Sequence, residues 1–349
     1  MAAIRPVQAA EDPSDRGRLA HLVFGHMAAQ VVATATRFGL MDLIGDQERP
    51  ATELAEECGA DRHATVRLLR ALASLELLVE TTPGSFSLTP TGDLLRTDRP
   101  DSFSPFVQMF TDPALTRAWG QLDMSVRTGR PSFDSVIGKD YFTHLKDNPG
   151  LSAQFNAAMS QITRASADGV SAAYDFGRFD KIVDVGGGDG TLLAVILREH
   201  ESARGIVFDT AEGLAQAQQT LKREGVDDRC TLHVGDFFHS VPVGGDLYLL
   251  KSVIHDWDDE RAVTILRHCR EVMPEHGRLL IVEPLLPPTV ESTNYSTYLI
   301  DLNMLISLGG QERTHANFED LCTRSSFTLN SVTQLPSPQT FFLIEATPA

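Results

Sequence analysis

Lys181-Ile182-Val183-Asp184-Val185-Gly186-Gly187-Gly188-Asp189-Gly190-Thr191-Leu192-Leu193 is the stretch whose reading decides the fold. Ile182 to Val185 is a short apolar run, as a buried strand requires. Gly186, Gly187, Gly188 and Gly190 let the backbone turn sharply and approach a ligand closely. Thr191 then opens an apolar, helix-forming run. Strand, glycine turn and helix begin a βαβ nucleotide-binding unit. Asp209 ends the next apolar run, Gly205 to Phe208, where an acid meets a ribose diol in such units.

The glycine spacing selects the cofactor. A dinucleotide fingerprint is G-x-G-x-x-G, but Thr191 stands where its third glycine belongs. The spacing here is G-x-G-x-G, through Gly186, Gly188 and Gly190. It resembles the loop that S-adenosylmethionine-dependent methyltransferases wrap around the methionyl end of their cofactor. That cofactor has no pyrophosphate to seat on a helix N-terminus. The competing reading is a glycine turn with no ligand.

Composition narrows the class. The 349 residues suffice for two domains and a sizeable core. Hydrophobic residues are 42% and charged residues 22%, as in an ordinary globular protein. A formal net charge of −17 repels nucleic acid and anionic membranes. Cys58, Cys230, Cys269 and Cys322 are widely spaced and read as reduced thiols of a cytoplasmic protein. The N-terminus lacks the apolar core of a signal peptide, and no apolar run approaches the ~20 residues of a membrane span. Asn294-Tyr-Ser296 matches a glycosylation pattern by chance on this reading.

Along the chain, residues 1–16 read as a flexible N-terminus and 17–102 as a winged-helix-like dimerisation domain. Within the latter, apolar residues recur at helical spacing from Leu22 to Phe38, either as an oligomer interface or as a core helix. Thr52 is the expected cap of a short helix, and Asp61 begins a second. Leu77–Glu80 and Ser85–Leu88 read as a hairpin. Arg62, His63, Arg67 and Arg70 on the second helix raise the possibility of a DNA reader. The acidic chain and the apolar set Leu68, Leu69 and Leu72 favour a scaffold that covers an active site.

Residues 103–178 form an expected helical region, with helices over 103–127 and 151–162. Its Phe155 and Met159, with Asn303 further on, are candidates for a pocket that takes a flat aromatic ligand; core packing is the alternative. From 179 to 349 strands and helices alternate, predicting a doubly wound, mostly parallel, seven-stranded α/β sheet. It closes in an antiparallel hairpin around Pro336-Ser-Pro338.

Three clusters at the carboxyl ends of the expected strands carry chemistry. In Gly235-Asp236-Phe237 an acid can bond an adenine amino group while the ring stacks on the base. In Lys251-Ser-Val-Ile-His255-Asp-Trp257, His255 is the candidate base for an acceptor hydroxyl, since a phenol of pKa ~10 stays protonated at neutral pH. Asp256 is set aside as its partner, because neighbouring side chains on a helix point apart. Either Glu283 or Glu312 could orient the imidazole; the alternative is a surface salt bridge to Arg313.

Asp184-Val-Gly-Gly-Gly188, Gly235-Asp-Phe237, His255-Asp-Trp257 and Gly309-Gly-x-Glu-Arg-Thr314 stand in this order behind the N-terminal region. Together they resemble the plant caffeate/flavonoid-type O-methyltransferases, in particular the bacterial branch that decorates aromatic antibiotics. The likeness covers residues 18–349. It implies His255 as catalytic base between Glu283 and Glu312. It implies Asp184, Gly186, Gly188, Asp209, Asp236, Phe237 and Lys251 as contacts of S-adenosylmethionine. It further implies a homodimer through the N-terminal domain, a small aromatic hydroxylated substrate and no metal. Relatives that N-methylate, or that perform hydroxylation or decarboxylation on the same fold, define one alternative. A winged-helix ligand-sensing regulator and a nicotinamide-dependent oxidoreductase define two others.

Overall fold

A computed structural model describes residues 13–290, 295–336 and 340–349. Most of the expected flexible N-terminus, Asn294 of the glycosylation pattern and the tip of the closing hairpin lie outside the described residues. The chain divides into two compact units, Met1–Thr111 and Asp112–Ala349.

In the first unit, helices Pro13–Arg37, Leu40–Ile44, Ala51–Glu57 and Arg62–Ser74 precede the hairpin strands β2 (Leu78–Thr82) and β3 (Ser85–Leu88). A two-residue strand, β1 (Arg49–Pro50), pairs with the outer side of β3. Leu40, Met41, Ile44, Leu54, Leu69, Leu72 and Phe86 form its core. Asp61 caps the fourth helix, accepting from Ala64 N–H at 2.8 Å. Thr52 does not cap the third. Pro50 holds that position in extended conformation, and Ala51 N–H donates instead to Gly84 O at 2.8 Å. Arg62 pairs with Glu56, and Arg70 forks onto Glu80, so two of the four basic residues on this helix are neutralised.

The long first helix departs from expectation. Ser14–Arg37 is long and apolar enough to cross a membrane, with a mean hydropathy of 1.2 over its window. Interspersed His, Gln and Gly residues keep its uninterrupted apolar runs short, which is why run length alone missed it. Leu19, Leu22, Val23, Phe24 and Met27 on it are each more than half exposed.

The second unit is built on strands β4 (Lys181–Val185), β5 (Arg204–Asp209), β6 (Cys230–Val234), β7 (Leu247–Lys251), β8 (Arg278–Leu286), β9 (Arg313–Thr314), β10 (Phe327–Gln334) and β11 (Phe341–Pro348). The order is β10-β11-β8-β7-β4-β5-β6, with β9 added beside β8. Strands β4 to β8 pair in parallel; β11 and β10 are antiparallel, as the closing hairpin predicts. The chain leaves β4 toward β6 and returns at β7, so the order reverses between β4 and β7. Ligands bind outside the carboxyl ends of the strands at such a switch point. Ile182, Leu249 and Leu280 pack on one face, and Val183, Tyr248, Leu250 and Ile281 on the other. This two-faced burial explains why these strands read as continuous apolar runs.

The region expected to be helical is so. Residues 103–127 form three helices, Ser104–Phe110, Pro113–Trp119 and Leu122–Thr128. Asp112 caps the second, accepting from Ala114 N–H at 2.8 Å, and Pro113 fills its first turn. The helix expected over 151–162 runs from Pro149 to Ala173.

Candidate active site

The β4 turn shows why its glycines are needed. Gly186 and Gly188 have φ of +73° and +55°, which an L side chain strains to adopt. A Cβ on Gly186 would stand 2.7 Å from Val253 Cγ2, whereas one on Gly188 would meet no atom within 4 Å. The space over Gly188 is therefore open. Asp209 faces it from the end of β5, accepting from Gly188 N–H at 2.9 Å and Thr210 N–H at 2.6 Å. Burial raises the Asp209 pKa against these two bonds. Asp184 lies beneath the turn, 2% exposed, its carboxyl pushed up to about 7 by burial and then by Asp209. Thr191 Oγ1, at the start of the following helix, is buried with no hydrogen-bond partner.

Beyond β6, Asp236 accepts from Phe238 N–H at 2.8 Å and lies 2.9 Å from His239 Nδ1. The Phe237 carbonyl lies 2.9 Å from His268 Nδ1, and its ring reaches within 3.7 Å of the Cβ position at Gly186. Lys251 ends β7. Its Nζ lies 4.5 Å from the Phe341 ring centroid and 3.3 Å from Thr163 Oγ1, and burial lowers its pKa to about 8 against Glu283 and Asp184. Open space over a glycine turn, an acid at the next strand end and an aromatic edge beside the turn fit an adenosyl cofactor. Gly186, Gly188, Asp209, Asp236 and Phe237 would hold it.

His255 sits in a single 3-10 turn, Ile254–Asp256, directly after β7. Its Nδ1 lies 2.8 Å from Glu312 Oε1 and 3.6 Å from Glu283 Oε2. Both glutamates are buried. Glu283 braces the turn from β8, its Oε1 accepting from the amides of Val253 and Ile254, each at 2.9 Å. The parallel pairing of Arg313 with Leu285 brings Glu312 alongside Glu283. Both carboxylates thus serve the imidazole: Glu312 by a direct bond, Glu283 through charge and the backbone. Burial alone would lower the His255 pKa, but Glu283 and then Glu312 carry it up to about 10. With Nδ1–H donated to Glu312, Nε2 is the nitrogen available to a substrate.

Two expectations about this cluster are corrected. Asp256 does not point away: its Oδ1 is 3.5 Å from His255 Nε2. The turn Ile254–Asp256 is followed at once by extended Trp257, so no helix continues to carry the two side chains apart, and both are largely buried. Burial pushes the Asp256 carboxyl up to about 7. The surface salt bridge between a glutamate and Arg313 is also not what forms. Arg313 is 1% exposed and pairs with Asp259 at 2.8 Å. Its guanidinium also donates to the carbonyls of Ile254 at 2.8 Å and Trp257 at 2.7 Å, clamping the His255 turn. Gln311 N–H donates to His255 O at 2.9 Å, and a Cβ on Gly310 would fall 2.1 Å from that same oxygen.

Phe155 packs edge-on to Tyr141 and Phe142, and Phe142 stacks on Trp257 with centroids 5.6 Å apart. Met159 lies one turn further along the same helix, half-buried. Asn303, 7% exposed, accepts from Trp119 Nε1–H at 3.1 Å. On the Asn303 helix, Asp301 accepts from Glu312 N–H at 2.8 Å. Sequence reasoning missed Arg313, Asp259, Asp301 and Trp119, since their roles depend on tertiary neighbours. A recess of about 440 Å³ lies elsewhere, among Arg117, Gln121, Met124, Ser135 and Val136. Its lining includes none of His255, Glu283 and Glu312.

His255 Nδ1 and one oxygen each of Glu283 and Glu312 lie within 4.8 Å of one another, a set that could also grip a metal ion. The short Nδ1–Glu312 hydrogen bond already uses the nitrogen that such an ion would need.

Two family models match the chain. Residues 119–328 match the O-methyltransferase domain and residues 20–98 the O-methyltransferase dimerisation domain. The chain belongs to the O-methyltransferase family and is an S-adenosylmethionine-dependent methyltransferase. It is 44% identical over 346 residues to the O-demethylpuromycin-O-methyltransferase of Streptomyces alboniger, covering 98% of this chain and 92% of that one. It is 40% identical over 330 residues to a phenazine O-methyltransferase of Lysobacter antibioticus, covering 95% of each. Its fold matches an O-methyltransferase from neocarzinostatin biosynthesis, solved with S-adenosylmethionine and 2-hydroxy-5-methyl naphthoic acid, with a TM-score of 0.81 and 30% identity. That match covers 92% of this chain and 96% of the other.

Proposed function

We propose that this enzyme methylates a hydroxyl of a small aromatic natural product of polyketide, phenazine or quinone type, with His255 as the general base. S-adenosylmethionine, when bound, supplies an electrophilic methyl group. The single observation behind the reading is the imidazole held at Nδ1 by Glu312, which leaves Nε2, 3.5 Å from Asp256 Oδ1, to take a phenolic proton once it has lost its own. A phenol needs that help, because its ionised form is scarce at neutral pH. Phe155, Met159 and Asn303 wall the acceptor site in this reading, and no metal takes part.

The active form is a homodimer. The exposed apolar stripe Leu19, Leu22, Val23, Phe24 and Met27, within the segment matching the dimerisation domain, is what a second copy would cover. Covering it also removes the reason to place this helix in a membrane. The paired Arg62 and Arg70 and the net charge of −17 support an enzyme without nucleic-acid partners. The four free cysteines support a cytoplasmic location.

The test is a methyl-transfer screen of hydroxylated naphthoates, phenazines and quinols with isotope-labelled cofactor, run with and without EDTA. Labelled O-methyl product that survives chelation is the expected result. Transfer only to amines, or transfer abolished by EDTA and restored by a divalent ion, would overturn the reading.

A further inference from the structure

Helix Pro149–Ala173 carries three polar residues, Asn156, Ser160 and Thr163, at the i, i+4, i+7 spacing of a single stripe. Each reaches a different loop at the carboxyl edge of the sheet. Asn156 Nδ2 donates to Glu212 O at 3.0 Å and Gln216 Oε1 at 3.1 Å, just beyond Asp209. Ser160 Oγ donates to Asp189 Oδ2 at 2.5 Å, inside the glycine turn. Thr163 Oγ1 accepts from Lys251 Nζ at 3.3 Å, at the end of β7. Asp189 is itself held twice more: it accepts from Thr191 N–H at 3.1 Å and from Thr220 Oγ1 at 3.2 Å. It therefore joins the glycine turn to three helices. The adjoining stripe of the same helix presents Phe155 and Met159, and Phe155 packs on the aromatic cluster next to His255.

We propose that Asn156 and Ser160 are positioning residues that tie the acceptor wall to the cofactor loops, so that binding the cofactor sets Phe155 and Met159 in place for the acceptor. The physical basis is that a ligand ordering the glycine turn and the loop after Asp209 also fixes the groups to which this helix is hydrogen-bonded. The helix then has less freedom to lose when the acceptor enters, which makes the two binding events cooperative. Ser160 is the central link, because Asp189 belongs to the turn that wraps the cofactor. The proposal rests on Phe155 and Met159 forming the acceptor wall.

The experiment is amide hydrogen exchange on the full chain with S-adenosylhomocysteine as the probe and no acceptor present. In the unsubstituted protein, the probe should slow exchange in the N-terminal half of helix 149–173 by ~10-fold, within the usual range of intersite coupling. In an Asn156→Ala/Ser160→Ala variant, protection should shrink to the glycine turn and the loop after Asp209, with calorimetric Kd for the probe changed less than about 3-fold. Ser160→Ala alone should lose helix protection while Ser160→Thr, which keeps the hydroxyl, should retain it, and this comparison separates the hydrogen bond from a folding defect. Full helix protection in the double variant, or none in the unsubstituted protein, would overturn the coupling. Loss of methyl transfer in a Phe155→Ala protein that keeps its exchange pattern tests the acceptor wall separately.

Discussion

His255 Nδ1 stands 2.8 Å from Glu312 Oε1, while Glu312 N–H is itself fixed by Asp301 Oδ1 at 2.8 Å. The carboxylate is thus held from its own backbone and chooses the tautomer of the base. Glu312→Gln should keep the fold but lower kcat by ~10²-fold, with cofactor Kd little changed. His255→Ala should lose at least as much, and the double variant little more than the worse single one, as expected of groups acting as a unit. Steady-state kinetics on a phenolic acceptor decides it; additive losses would mean that the pair does not cooperate.

The pH profile should carry the signature of the acidic cage. In the free enzyme, Glu283 and Glu312 raise His255 to about 10, so the imidazole is protonated at neutral pH. The acid limb of kcat/KM, which reports the free enzyme, should therefore climb well above the ordinary histidine value of about 6.5. A cationic cofactor nearby disfavours the imidazolium, so the limb of kcat should lie lower. The same raised pKa stabilises the fold fully below about pH 6.5, and that contribution fades as pH rises through about 10. His255→Ala should flatten this slope in denaturant titrations across that window. An acid limb at 6.5 in both profiles would contradict the cage.

Arg313 should matter more for stability than for binding. Its side chain is buried and supplies the donors to Ile254 O and Trp257 O. Arg313→Ala takes the guanidinium donor from Trp257 O and leaves Ile254 O with only the longer Trp257 N–H bond at 3.3 Å, and should cost about 2–4 kcal/mol in chemical denaturation. Arg313→Lys keeps the charge but not the fork, and should recover part of the stability while kcat stays depressed.

Two glycine substitutions separate a packing effect from a ligand effect. Gly186→Ala puts a methyl 2.7 Å from Val253 Cγ2 at a φ of +73°, so it should lower both Tm and cofactor affinity. Gly188→Ala meets nothing within 4 Å, and its penalty for the fold is the smaller one. If the open space over Gly188 is where the cofactor lies, calorimetry should nevertheless show at least ~10-fold weaker binding of S-adenosylhomocysteine. Unchanged affinity in Gly188→Ala would move the cofactor elsewhere.

The parallel sheet was legible because its strands are buried on both faces, leaving runs such as Ile182–Val185 that no half-exposed strand would show. His255 and Glu312 stood out because each follows a strand or a glycine turn, and Glu283 because it ends the apolar run Leu279–Val282 inside β8. What escaped depended on distance in sequence. Arg313 reads as a surface cation until β9 pairs with β8 and sinks it. Asp256 was misjudged because the rule gives the direction in which neighbouring side chains leave a helix, and these two, packed in a short turn, reach back to within 3.5 Å of each other.

The proposed acid–base residues lie on or beside β7, β8 and β9, whereas the proposed aromatic wall comes from helices that contribute nothing to the sheet. Chemistry and selectivity are therefore written in separate segments of the chain. Helical residues such as Phe155 can drift to suit a new scaffold while the proton-handling machinery stays untouched, which gives one catalytic device many potential customers.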